Sequence, residues 1–330
     1  MIDTIRAWWS WYPLRVAAVV DTVVVALWCL VLGLGFAPSD ATALQPLALV
    51  LVPTTFVALC CTRTAAGRWA LERGAQFSPV WESALHRHLT RTRVARTLGF
   101  TGGLASAMVT VNWLYSRSTV VPADTQPWSQ LLSGYWLPGL GYVVGSLVAE
   151  LTKPRAASAG SGTAVLARRR LGDYLDNTVR EMFVASFVVM ALAVTVAVLA
   201  PRSNGQPGWL DGWGRVGLPL GVASVAVLGA VWVCRRRERA GDEAALAFEE
   251  LTRSATANAL IGAAVAMLAE AAIRLVGFRT VDGTVSGWYQ LGFGLFGLLA
   301  LGFWAACGTK LVFRNRRIGK LRAAAGIASA

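Results

Sequence analysis

Residues 258–277 read NALIGAAVAMLAEAAIRLVG, twenty positions of which only Glu270 and Arg274 carry charge. About 20 apolar residues in a helix are what about 30 Å of hydrocarbon requires, so the stretch reads as a membrane span. Further segments of comparable length and hydropathy occur at roughly 16–37, 43–61, 97–115, 131–151, 183–200, 216–234 and 287–307. The predicted fold class is therefore all-α, a polytopic transmembrane helix bundle of about eight spans.

Composition supports that reading. The chain is 55% hydrophobic with a mean hydropathy of +0.52. Only 15% of its 330 residues are charged, against about a quarter in soluble domains. The distribution of charge then orients the bundle. Once the spans are drawn, 26 of the 31 Lys and Arg fall in segments on one side; the other five are Arg117, Arg202, Arg215, Arg274 and Arg279. Cytoplasmic loops concentrate Lys and Arg, so both termini are predicted to face the cytoplasm. Trp113, Tyr115, Trp128, Tyr135, Trp136, Trp209, Trp213, Trp288 and Tyr289 gather at the opposite ends of the spans as an interfacial belt. Arg greatly outnumbers Lys in an Ala, Gly, Val and Leu background, a texture that suits a bacterial plasma membrane.

The formal charge of +13 would in a soluble protein suggest nucleic acid. Here the basic residues flank apolar spans and form no separate domain, so the expected partner is the lipid bilayer with its anionic inner leaflet. A cytoplasmic protein or a second copy of the chain is a further partner the basic connectors could serve. The predicted organisation is an interfacial segment over 1–15, a first membrane half over 16–151, a cytoplasmic linker with an amphipathic helix over 152–182, a second half over 183–307, and a basic tail over 308–330. In the first segment Ile5, Trp8, Trp9 and Tyr12 recur at helical spacing opposite Arg6, as in a helix lying on a membrane surface.

An internal likeness suggests duplication. Leu89 to Leu98 reads LTRTRVARTL and Leu251 to Leu260 reads LTRSATANAL; five of ten positions are identical, 162 residues apart. Both copies lead into an odd-numbered span. The halves would then be parallel copies of four spans, or the chain would use a two-helix hairpin four times. Secondary transporters are often built this way, with the substrate site at the interface between repeats.

Residues able to carry chemistry are few. Glu270 lies about 12 residues into its span, about 18 Å along the helix, and a charge at that depth must face a cavity or a partner. Arg274 follows four residues later on the same face, which favours an ion pair within the helix. Asp21 in the first span and Asn112 in the third complete the candidates for a substrate or coupling site, and Glu150 sits at the inner end of the fourth span beside Lys153. The pairs Gly99 and Gly103, Gly141 and Gly145, and Gly217 and Gly221 have the spacing that lets helix backbones approach closely. Pro138 and Pro219 could bend their spans.

Other chemistries are disfavoured. Cys29, Cys60, Cys61, Cys234 and Cys307 show neither a disulfide framework nor paired CxxC spacing. His86 and His88 fall on different helix faces and read as part of a solvated basic surface; no cofactor and no metal is expected. Glu249 to Arg253 is one residue short of the EExxxR pattern of membrane-embedded proteases, and Gly160 to Thr163 lacks the Lys of a phosphate loop. The expected function is not enzymatic. It is that of a transporter, or the permease-like membrane subunit of a transport system, for a small or lipid-like substrate. The alternative is a non-transporting membrane scaffold or regulatory component that binds a cytoplasmic partner, with an intramembrane enzyme ranked below both.

Overall fold

A computed structural model describes residue 70 and residues 78–117, 136–153, 170–199, 209–236 and 243–279. These form α1 (Pro79–Arg117), α2 (Trp136–Leu151), α3 (Asn177–Leu199), α4 (Trp209–Arg235) and α5 (Glu243–Arg279), with a single 3₁₀ turn at Leu171–Asp173 before α3. The described part is all-α. Three stretches are long and apolar enough to cross a membrane, Asn177–Thr195, Val216–Arg235 and Ala245–Leu275, while α2 is apolar over 16 residues. The expected spans at 16–37, 43–61 and 287–307, the terminal segments and Asp21 lie outside the described residues.

The helices containing the expected third and seventh spans start much earlier than the hydropathy boundaries. α1 runs for 39 residues and α5 for 37, each about 55 Å or more at about 1.5 Å per residue and nearly twice a hydrocarbon layer. Local chemistry sets the start of α1. Pro79 occupies the first helical position, where the missing N–H has no intrahelical partner to lose, and Glu82 places a carboxylate in the first turn. The repeated stretches therefore lie within continuous helices. Their early turns pack together: Leu85 of α1 is buried with Phe248 and Leu251 of α5, with Trp81, Ala84, Leu89 and Ala255 against them.

α5 is the central helix. From Ala257 to Ala272 nearly every side chain is buried, and half of them are alanine. Small side chains let neighbouring helices come close on several sides at once, since the approach of two helices is set by what stands between them. Val143 of α2, Val179 of α3, and Val222, Ala226, Ala230 and Val233 of α4 join Leu260, Ile261, Ala264 and Met267 of α5 in one core. On α3, Val184, Phe187, Val188 and Leu192 stay exposed, as an apolar outer face of a membrane helix would be. Pro138 is in the first turn of α2, where no backbone donor is lost, whereas Pro219 lies inside α4, which continues through it.

α1 and α2 run antiparallel and touch through their backbones. A Cβ added at Gly99 would overlap the carbonyl of Gly141, and one at Gly141 would overlap the carbonyl of Gly99. Gly103 lies in the same way against Leu137 and Pro138, and Gly145 against Ala95 and Arg96. Gly217 and Gly221 differ. A Cβ there meets nothing within 4 Å among the described residues, so no described helix packs closely on this pair. Its spacing matches the other two pairs, but α4 does not turn that face to a described helix.

Substituting Gly141→Val should force α1 and α2 apart and destabilise the fold by at least the about 1–3 kcal/mol typical of overpacking, read as a lower thermal midpoint of the full chain in detergent micelles. Gly221→Val should leave the midpoint close to wild type; equal losses from both would contradict the packing described.

Candidate functional site

The polar side chains concentrate at the basic end of the bundle, around residues 249–258 of α5. Helical spacing sorts this stretch into two stripes. Glu249, Thr252 and Thr256 fall three and four residues apart on one side, and Glu250, Ser254 and Asn258 recur every four residues on another.

The first stripe receives α1 and α2. Lys153, two residues past the end of α2, donates from Nζ to the Thr252 hydroxyl at 2.8 Å and sits 3.0 Å from Glu249 Oε2. The Thr256 hydroxyl donates to Glu150 Oε1 at 2.7 Å and accepts a longer bond, 3.4 Å, from Arg96 Nη2. Arg96 Nε donates to the Ser146 hydroxyl at 3.1 Å, and its guanidinium lies over the Tyr142 ring. Arg236, just past α4, donates to the Glu150 carbonyl at 2.9 Å and so places a cation on the C-terminus of α2.

The second stripe receives the segment that leads into α3. Ser254 Oγ and Asn258 Nδ2 both donate to the Tyr174 carbonyl, at 2.8 and 3.1 Å, while the Asp176 N–H donates to Asn258 Oδ1 at 3.1 Å. The Tyr174 hydroxyl donates to Glu250 Oε1 at 3.2 Å. One helical stretch thus holds the neighbouring segments in place from two sides.

These groups are deeply buried. Glu150, Glu250, Arg96, Arg253 and Lys153 are each 8% exposed or less. Removing ions from water costs several kcal/mol each unless they are paired and hydrogen-bonded. The cluster answers that cost by mixing opposite charges. Its cations are Arg96, Lys153 and Arg253, and its carboxylates are Glu150, Glu249 and Glu250; Arg253 lies 3.7 Å from Glu249.

His88 completes the cluster. Its Nε2 is 3.8 Å from Glu150 Oε1 and 3.5 Å from the Thr92 hydroxyl, its ring meets Phe248 edge-on, and Nδ1 is buried with no hydrogen-bond partner among the described residues. Burial, followed by the charges of Lys153, Arg96 and Arg91, holds the imidazole well below its ordinary pKa. The ring is therefore neutral near pH 7, and its contact with Glu150 is not an ion pair. This corrects the expectation of a solvated basic face for His88, which is 6% exposed. Because α1 is one continuous helix, its His88, Thr92 and Arg96 stripe is carried under the end of α2 and against α5.

The second polar place is deeper in α5. Arg274 donates to Glu270 Oε1 from Nη2 at 2.6 Å and from Nε at 3.0 Å, an ion pair across one helical turn. Glu270 is 9% exposed, and its Oε2 is buried with no hydrogen-bond partner among the described residues. Asp21 and the side chain of Asn112 lie outside the described residues, so neither is placed beside this pair. Among the described residues no group of three His, Cys, Asp or Glu side chains is arranged to hold a metal ion.

Tyr174, Ser254, Thr256, Ser146 and Arg96 do not stand out in the sequence as site residues. The available signal is the polar spacing of LTRSATAN at the start of a long apolar helix. Comparison with known proteins returned no matching family model, no similar curated protein and no similar solved structure.

Replacing Thr256→Val keeps the side-chain shape and removes the bond to Glu150. A hydrogen bond to a charged group contributes about 1.5–3 kcal/mol, so denaturation of the full chain in micelles should show a loss of that order. No change would mean that the seam between α2 and α5 does not depend on this hydroxyl.

Proposed function

We propose that the protein is a multi-pass transporter of the plasma membrane, or the membrane subunit of one, with Glu270 and Arg274 in the path of a small solute. The observation that carries this reading is the buried carboxylate of Glu270, with one oxygen held twice by Arg274 and the other without a hydrogen-bond partner among the described residues. An ionisable group inside a membrane helix is costly, and such groups mark substrate or ion pathways. A proton or a substrate cation arriving at Oε2 would compete with Arg274, which gives the pair two alternative states.

The arrangement of α1 and α5 supports the same reading. The two helices run parallel, with Trp81 against Phe248 near their starts and Arg96 bonded to Thr256 further on. Arg96 and Thr256 are 160 residues apart, close to the 162 that separates the two sequence copies. On the duplication reading, the copies face one another at nearly equivalent positions, the kind of interface at which transporters place their sites. A second reading, a scaffold or regulatory component that binds a cytoplasmic partner, is favoured by the paired early turns of α1 and α5, which are longer than a bilayer needs.

The test uses the full chain in proteoliposomes on a solid-supported membrane, with amino acids, carboxylates, amines and sugars supplied in turn and internal pH followed by a trapped dye. Transport predicts a current or pH change with one of these classes, reduced at least about ten-fold in Glu270→Gln, a loss of about 1.4 kcal/mol or more. A silent wild type across all four classes, or unaltered flux in the variant, would leave the scaffold reading.

A further inference from the structure

We propose that His88 and Glu150 form a proton-binding site at the basic end of the bundle, and that proton uptake there loosens the seam between the α1–α2 pair and α5. The proposal does not depend on transport through Glu270.

The geometry gives the proton a place. Nδ1 of His88 is buried without a partner among the described residues, so a proton can be added to the ring without breaking a bond this nitrogen makes to any of them. Nε2 faces Glu150 Oε1, the same oxygen that accepts the Thr256 hydroxyl. Thr256 in turn accepts from Arg96. His88, Glu150, Thr256 and Arg96 therefore form one chain of polar contacts that crosses from α1 to α2, to α5 and back to α1. A new charge on His88 draws on the Glu150 carboxylate, which is what Thr256 uses to hold α2.

The surroundings oppose that charge in the closed state. Facing His88 are Arg91 and Arg96 from its own helix and Lys153 from the segment after α2. Across the seam, α5 presents the Phe248 ring, with Glu249 and Arg253 beyond it around Lys153. Glu150 is the carboxylate closest to the ring among these contacts. Separation of the α1–α2 pair from α5 would admit water, relieving the burial of His88 and screening the charge of Lys153, which moves with the pair. The proton consequently binds the loosened form better than the closed one, and by linkage it shifts the population toward the loosened form.

The direction with pH follows. His88 has a lower pKa in the closed fold than in water, so the closed fold binds fewer protons than the open one below about pH 6.5, the ordinary imidazole range. Closed-state stability is full above that range and is lost as pH falls toward the depressed value.

Two measurements on the full chain in lipid nanodiscs test this. The sequence has two histidines, so His86→Gln leaves His88 as a single imidazole for NMR titration, expected to titrate well below about pH 6.5; an ordinary value would overturn the proposal. Amide exchange over residues 249–258, corrected for its intrinsic pH dependence, should rise about ten-fold or more between about pH 7.5 and about pH 5. In His88→Gln, which stays neutral, that rise should be absent. A wild type with no rise, or a variant with the same rise, would also overturn it.

Discussion

The polar turns of α5 between Glu249 and Asn258 must be satisfied away from water, and the rest of the structure depends on that constraint. An unpartnered buried charge or amide costs more than a typical hydrogen bond contributes. Each group on those turns therefore selects what can pack there. Thr252, Thr256 and Glu249 accept the end of α2 and the arginine of α1, while Ser254, Asn258 and Glu250 accept the segment around Tyr174. The arrangement of the bundle follows from two stripes on one helix.

The close approach of α1 to α2 makes that arrangement reachable. Backbone contact at Gly99, Gly141 and Gly145 lets Arg96 bond Ser146 directly from the next helix. The same contact brings both helices to α5 as one pair, so Arg96 and Glu150 meet on the single hydroxyl of Thr256. Steric and polar terms act on the same helices. Glycine removes the volume between them, and the buried bonds fix their register.

Much of the fold is legible in the sequence because hydropathy and length follow from the bilayer itself. The spans over α3, α4 and α5 are readable for that reason, and the pairing of Glu270 with Arg274 follows from spacing within a single helix. What is not legible depends on distant contacts. Nothing local distinguishes the glycine pair of α4 from those of α1 and α2, because a glycine's role depends on what faces it. His88 reads as solvated because its neighbours in sequence are basic, whereas its burial comes from Glu150 and Phe248, far along the chain. Hydropathy also misplaces the helix starts, because a polar stretch can remain helical when its side chains are taken up by other helices.

The two polar centres of α5 differ in kind. Thr256 and Glu270 are 14 residues apart, about 21 Å along one helix, with a buried and alanine-rich surface between them. At the basic end α1, α2 and the segments flanking α3 and α4 contribute partners, and the bonds cross between elements. The Glu270 carboxylate, by contrast, is bonded by Arg274 of its own helix, and among the described residues it holds no other element to α5. A carboxylate bonded from its own helix does little to hold a bundle together, and a hydrophobic residue could fill the same volume without the cost of burying charge. The bonds that cross between helices at the basic end are explained by assembly. Glu270 is not, and that difference is the physical ground for placing the proposed function there.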